Sequence, residues 1–290
     1  MASPLRHGLD WLRAPAIELA FLVRSTLRWS RGAPELVDEC KRTLFAHLPS
    51  EAAAAARAAA DELVARFALQ PLAARSSRST FAGSVAHLLG LQRLTGELPH
   101  VPSGADGVVR AVDVGCGDFH YASALAQWLS RHGAGEPRPV VLRGIELDGH
   151  GIYRDGRSRA DHGKAHAALA TLGRVSAHFQ VGDFRHLRLP EQDVATMFFP
   201  FVSAHACLRW GAPVSRLAPR RLLARAVAAV RPGGWLLVVN QTLAECQRVH
   251  QLLGRHPVEC LATATWQCGL VPWHERTVDQ VGSLWRRLPA

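Results

Sequence analysis

Ala111-Val112-Asp113-Val114-Gly115-Cys116-Gly117-Asp118 is an apolar run that ends in a glycine turn, and Tyr121 to Leu129 follow it with helical spacing. The run has the length of a buried strand. A strand without polar alternation that feeds a helix is the unit of a parallel sheet covered on both faces. Two glycines let the backbone pass close beneath a ligand, and the helix start beyond them offers free N–H groups. A dinucleotide-binding loop wants a third glycine three residues after Gly117, where this chain has His120. That counts against a nicotinamide-dependent enzyme.

Downstream, short apolar runs alternate with longer amphipathic ones, which predicts a sheet wrapped by helices. The spacing places strands near Val108–Val114, Val140–Leu147, Val175–Val181, Asp193–Phe199 and Trp235–Asn240. Two more, Cys260–Leu270 and Thr277–Trp285, are expected to pair antiparallel at one edge. The fold class is therefore α/β, with a mostly parallel seven-stranded sheet flanked by helices. Upstream, residues 1–100 carry helical signals. Ser50 suits an N-cap for the Ala-rich stretch to Leu69, and Val85, Leu88, Leu89 and Leu91 share a broad apolar face. The connection Gly96 to Gly107 then divides a helical N-terminal segment, 1–100, from a ligand-binding domain, 101–290.

The 290 residues carry a formal charge of +10 with 48% hydrophobic residues, enough for one sizeable core. Lys41 and Lys164 are the only lysines, so the charge is arginine scattered along an Ala-rich chain rather than a clustered phosphate footprint. Nucleic-acid binding is not favoured. The cysteines Cys40, Cys116, Cys207, Cys246, Cys260 and Cys268 form no CxxC pair and no zinc spacing, so no metal is expected and a reducing cytoplasm fits. The apolar run Ala14–Val23 is too short to span a bilayer and no cleavage site follows, so neither a signal peptide nor a transmembrane helix is expected.

The strand-end pattern Asp113, Val114, Gly115, Gly117 resembles the first motif of class I S-adenosylmethionine (SAM)-dependent methyltransferases, whose domain is Rossmann-like. Further matches follow in order. Gly144-Ile145-Glu146-Leu147-Asp148 puts a carboxylate where that family holds the ribose hydroxyls, with Glu146 preferred over Asp148. Gln180-Val181-Gly182-Asp183-Phe184 puts an acceptor and a ring where it holds adenine, and Val230 to Trp235 is a turn before a buried strand. The resemblance covers residues 108–240 and implies SAM as cofactor, bound by Asp113, Gly115, Cys116, Gly117, Glu146, Asp183 and Phe184.

In such a fold the fourth strand ends beside the transferred group. Here it reads Phe199-Pro200-Phe201, whereas relatives that methylate amines of bases or glutamine carry Asn or Asp, then Pro, Pro and an aromatic residue. With His120 and Tyr121, these three residues are expected to line the acceptor pocket. His205, one of fifteen histidines, is the candidate proton acceptor. The expected activity is methyl transfer to an O or N atom of a small organic acceptor. An RNA methyltransferase and a SAM-binding protein without catalysis remain open, as does the oligomeric state.

Overall fold

The computed structural model describes residues 11–96, 98, 100–266 and 279–289. One sheet is built from β1 Val109–Val114, β2 Val140–Glu146, β3 Val175–Val181, β4 Gln192–Phe198, β5 Val230–Asn240, β6 Val258–Thr265 and β7 Val281–Arg287. Their spatial order is β3-β2-β1-β4-β5-β7-β6. The pairs linking β1 to β5 are parallel, and β7 lies antiparallel to both β5 and β6. The chain winds outward from β1 through β2 to β3 and then restarts beside β1 with β4. That reversal opens a crevice at the carboxyl ends of the central strands. This is the Rossmann-like α/β architecture expected from the sequence, with its antiparallel edge pair. The far end of Cys260–Leu270, the start of Thr277–Trp285, and Cys268 lie outside the described residues.

The helices are α1 Ala14–Leu27, α2 Ser50–Arg66, α3 Gln70–Ala74, α4 Arg78–Thr95, α5 Ala122–Arg131, α6 Arg159–Ala170, α7 Ala204–Arg209, α8 Pro219–Ala229 and α9 Leu243–Leu253. Alternation along the strands divides the core in two. Ala111, Leu142, Val194 and Leu237 face α4 and α5, while Val112, Ile145, Met197 and Val238 face α8 and α9. Helix α4 is locked in by Val85, Leu88 and Leu91, all fully buried, each stabilising by about 1.5–3 kcal/mol. Ser77 caps it, accepting from the Thr80 amide at 3.1 Å. Helix α1 is held differently. Only Ile17 and Phe21 are buried on it, with Leu19, Leu22 and Leu27 exposed, so polar ties must fix its place.

Two local expectations differ from the structure. Ser50 does not cap α2: it is already the first helical residue, Pro49 holds the cap position, and no side-chain cap bond forms. Strand β5 starts at Val230 rather than Trp235, because the Pro-Gly-Gly turn is absorbed as a bulge. Gln192 pairs with Val230 and Val194 with Trp235, so six residues of one strand oppose three of the other. No helix of the described residues is long and apolar enough to cross a membrane.

Candidate cofactor and acceptor site

A cavity of about 710 Å³ opens at the carboxyl ends of β1, β2 and β4, a size suited to a cofactor or small ligand. Its floor is the glycine turn. Gly115 and Gly117 have φ of 74° and 60°, and a side-chain carbon added at either would meet nothing within 4 Å. The bare backbone therefore faces open space that any other residue would partly fill. The turn is clamped to the next strand: the Gly117 amide donates to Glu146 Oε2 at 2.9 Å. Glu146 Oε1 accepts from the Asp148 amide at 2.9 Å and from Arg159 Nη1 at 3.2 Å. Burial opposes the charge of Arg159, but Glu146, Tyr153 and Asp148 outweigh it and hold the guanidinium protonated beyond its ordinary range. Because a carboxylate oxygen accepts about two bonds, Oε2 keeps capacity for one more donor.

Asp113 is placed differently from its neighbours in the motif. It is fully buried and does not line the cavity. Its carboxylate accepts from the Tyr121 hydroxyl at 2.7 Å and the Thr196 hydroxyl at 2.6 Å. Thr196 stands opposite it in the β1–β4 register. Burial pushes the Asp113 carboxyl up to about 7, with the two hydroxyls pulling the other way. Asp113 thus shapes the site from below by fixing Tyr121. Cys116 turns its thiol into the core, where a carbon added at Gly144 would lie 2.9 Å from Sγ. Burial raises that thiol well above its usual range, and it packs rather than reacts.

On the far side, Asp183 and Phe184 reach the wall. The Asp183 carboxylate is already engaged by its own turn, accepting from Arg185 Nε at 2.8 Å and from the Arg185 amide at 3.0 Å on Oδ1, with Arg185 Nη2 on Oδ2. Burial alone would raise its carboxyl; the Arg185 bonds prevail and lower it. Phe199, Pro200 and Phe201 all line the cavity, as do His120 and Tyr121. Phe199 has φ of 58°, a left-handed conformation that costs a non-glycine residue about 1–3 kcal/mol and that clusters at functional sites. His205, by contrast, is not among the lining residues. It is the second residue of α7, and Cys207 on the same helix reaches the cavity instead.

Several wall residues come from places the motifs do not mark. His87 on α4, Phe198 at the end of β4 and Trp266 just past β6 form one aromatic corner with Tyr121. His87 stacks on Tyr121 with centroids 4.1 Å apart, and lies 4.9 Å from Phe198 and 6.0 Å from Trp266. Strand alternation from Val194 and Thr196 puts Phe198 on the α4 side, so that ring was open to inference. Nothing in the α4 sequence distinguishes His87 from its neighbours. No group of His, Cys, Asp and Glu suited to a metal occurs among the described residues.

No protein-family model matches the sequence, and no curated protein matches it. In backbone the chain is similar to the N-methyltransferase NodS from Bradyrhizobium japonicum WM9, at 12% identity over 72% of this chain and 97% of that one, with a TM-score of 0.43. It is also similar to magnesium protoporphyrin IX methyltransferase from Synechocystis PCC 6803 with bound SAM (14% identity, 72% and 81% covered, TM-score 0.42). An rRNA methylase from Streptococcus thermophilus is similar at 9% identity, with 70% and 94% covered and a TM-score of 0.39.

Proposed function

We propose that this protein is a SAM-dependent methyltransferase whose acceptor is a small organic molecule. The observation that carries the reading is the clamp between Gly117 and Glu146. It joins an open glycine turn to a carboxylate with a spare lone pair at the rim of one cavity.

The residues present fit the cofactor. Gly115 and Gly117 leave room for close approach of a ligand to the backbone. Glu146 would accept from a ribose hydroxyl through Oε2, a charged bond worth about 1.5–3 kcal/mol. Phe184 offers a ring to a flat base, and Asp183 keeps acceptor capacity at Oδ2 beside its Arg185 bonds. Bound there, SAM supplies an activated methyl group on a sulfonium. The protein's part is then alignment and exclusion of water, which Phe198, Phe199, Pro200 and Phe201 serve by walling the cavity with apolar surface. In this reading the segment 101–290 binds the cofactor. The segment 1–100 contributes the acceptor-side wall through Gly83, Ala86 and His87 of α4.

Incubation of the protein with SAM and a mixed set of small hydroxyl and amino compounds should release S-adenosylhomocysteine faster than a protein-free control. Tight binding of NAD with no response to SAM would overturn the reading.

A further inference from the structure

His120 stands at the end of the glycine loop, and the loop itself orients its ring. Asp118 Oδ1 lies 2.8 Å from His120 Nδ1 and also accepts from the His120 amide at 3.3 Å. Burial works against the Asp118 charge, but the hydrogen bonds from the His120 ring and amide hold its carboxyl far below the ordinary range. An ionised carboxylate only accepts, so Nδ1 carries a proton, and in the neutral ring the lone pair is on Nε2. From the other side, His166 Nδ1 donates to the Asp118 carbonyl at 2.7 Å and pins the residue against α6. Gly83 on α4 makes the space the ring needs: a carbon added there would lie 2.8 Å from His120 Nε2.

Helix α4 turns a second imidazole to the same corner. His87 Nδ1 donates to the Gly83 carbonyl at 2.8 Å, which leaves Nε2 as its acceptor. That Nε2 is buried without a hydrogen-bond partner among the described residues, on a residue 91% shielded from solvent. Burial, with the neighbouring His120, drives the His87 ring down to about 3, so it stays neutral. The two rings lie 5.6 Å apart, edge to face, and both line the cavity beside Tyr121, Phe198 and Trp266. A buried acceptor left unpaired is unfavourable, so a ligand that brings a donor to this corner relieves it. Its aromatic walls suit a flat ring.

Resting on the methyltransferase reading, we propose that the acceptor is an aromatic hydroxyl compound with a second hydrogen-bond donor, methylated on oxygen with His120 as general base and His87 as the receptor of the second donor. The reacting hydroxyl gives its proton to His120 Nε2 as its oxygen forms the bond to the methyl carbon. The carbon–sulfur bonding pair stays on sulfur, which leaves as the neutral thioether, and the proton passes from His120 to water. The Asp118 carboxylate steadies the transient imidazolium, as a buried anion beside a histidine base does.

The test uses the full chain with imidazole nitrogens labelled with ¹⁵N, titrated with catechol, phenol and 1,2-dimethoxybenzene. Catechol should shift the Nε2 signals of both His87 and His120, phenol should bind more weakly, and the donor-free ether should shift neither. With SAM present, His120→Ala should lower kcat for catechol about 100-fold or more while SAM affinity, measured by calorimetry, stays within about twofold. His87→Phe, which keeps the ring packing, should raise KM for catechol more than it lowers kcat. If SAM binds but no phenol perturbs either imidazole, the proposal fails and the methyltransferase reading stands. If His120→Ala loses SAM affinity and keeps kcat, His120 is a cofactor contact and the proposal is again overturned. If wild-type protein does not bind SAM, the underlying reading fails first.

Discussion

Arg24 on α1 grips Asp148 just beyond β2 at two points, Nε to Oδ1 at 2.6 Å and Nη2 to Oδ2 at 2.7 Å. The same guanidinium reaches the Gly211 carbonyl at 3.4 Å. One helical face along, Glu18 accepts from the Ser215 amide at 2.9 Å and hydroxyl at 2.7 Å. Asp148 belongs to one rim of the cavity, and Trp210, Pro213 and Leu217 to the other. Helix α1 is thus tied to both sides of the mouth by polar bonds, with little apolar burial behind them.

That arrangement makes α1 separable from the core. Removing a charged bond costs about 1.5–3 kcal/mol when buried; this pair is partly exposed, and solvent reduces the figure to about 1 kcal/mol. Arg24→Ala should therefore speed amide hydrogen exchange over residues 14–27 about 5-fold, while exchange in β1 and β4 stays unchanged. Equal exchange in α1 before and after the substitution would mean that Ile17 and Phe21 alone hold the helix.

Asp113 gives a pH signature of defined sign. Its folded value of about 7 lies above the ordinary 3.8, so the folded state holds the proton longer than the unfolded chain. The carboxyl imposes no penalty below about pH 4, a rising one as pH climbs, and the full one, about 4 kcal/mol, above about pH 7. Asp113→Asn cannot ionise, so its stability relative to wild type should improve as pH rises from 4 to 7. His87 acts with opposite sign, losing stability as pH falls from about 6.5 toward 3, but it is present in both proteins and drops out of the difference. Denaturant midpoints that keep a constant gap across this range would contradict the assignment.

How much of this could be read beforehand follows from how local each feature is. The glycine turn, Glu146 and Asp183 sit at strand ends that short apolar runs mark on their own, and β3 spans Val175–Val181 as expected. The aromatic corner is different. His87 meets Tyr121 and Trp266 only because α4 packs across the sheet, a choice made by Val85, Leu88 and Leu91 in three dimensions. The Arg24–Asp148 tie joins residues 124 apart in the chain, and no periodicity points to it. His205 lies close in sequence to the end of β4, yet the start of α7 leaves it off the cavity wall.

The positive charge should not act as a nucleic-acid footprint. Arg24, Arg110, Arg159, Arg185 and Arg231 are all paired with carboxylates, which lessens their pull on phosphate. Filter binding to generic RNA should be weak, fall steeply as salt rises from 50 to 200 mM and show no sequence preference. Sequence-selective, high-affinity binding at physiological salt would turn the acceptor reading toward RNA.

The most direct measurement is a calorimetric titration of wild type and Glu146→Ala with SAM, with NAD as control. Glu146 holds the glycine turn through Gly117 and has acceptor capacity left on Oε2, so under the proposed reading its loss should weaken SAM binding about 10- to 100-fold. The wild type should bind SAM and ignore NAD. Equal SAM affinity in the two proteins, or binding of NAD in place of SAM, would contradict the assignment of this cavity as a SAM site.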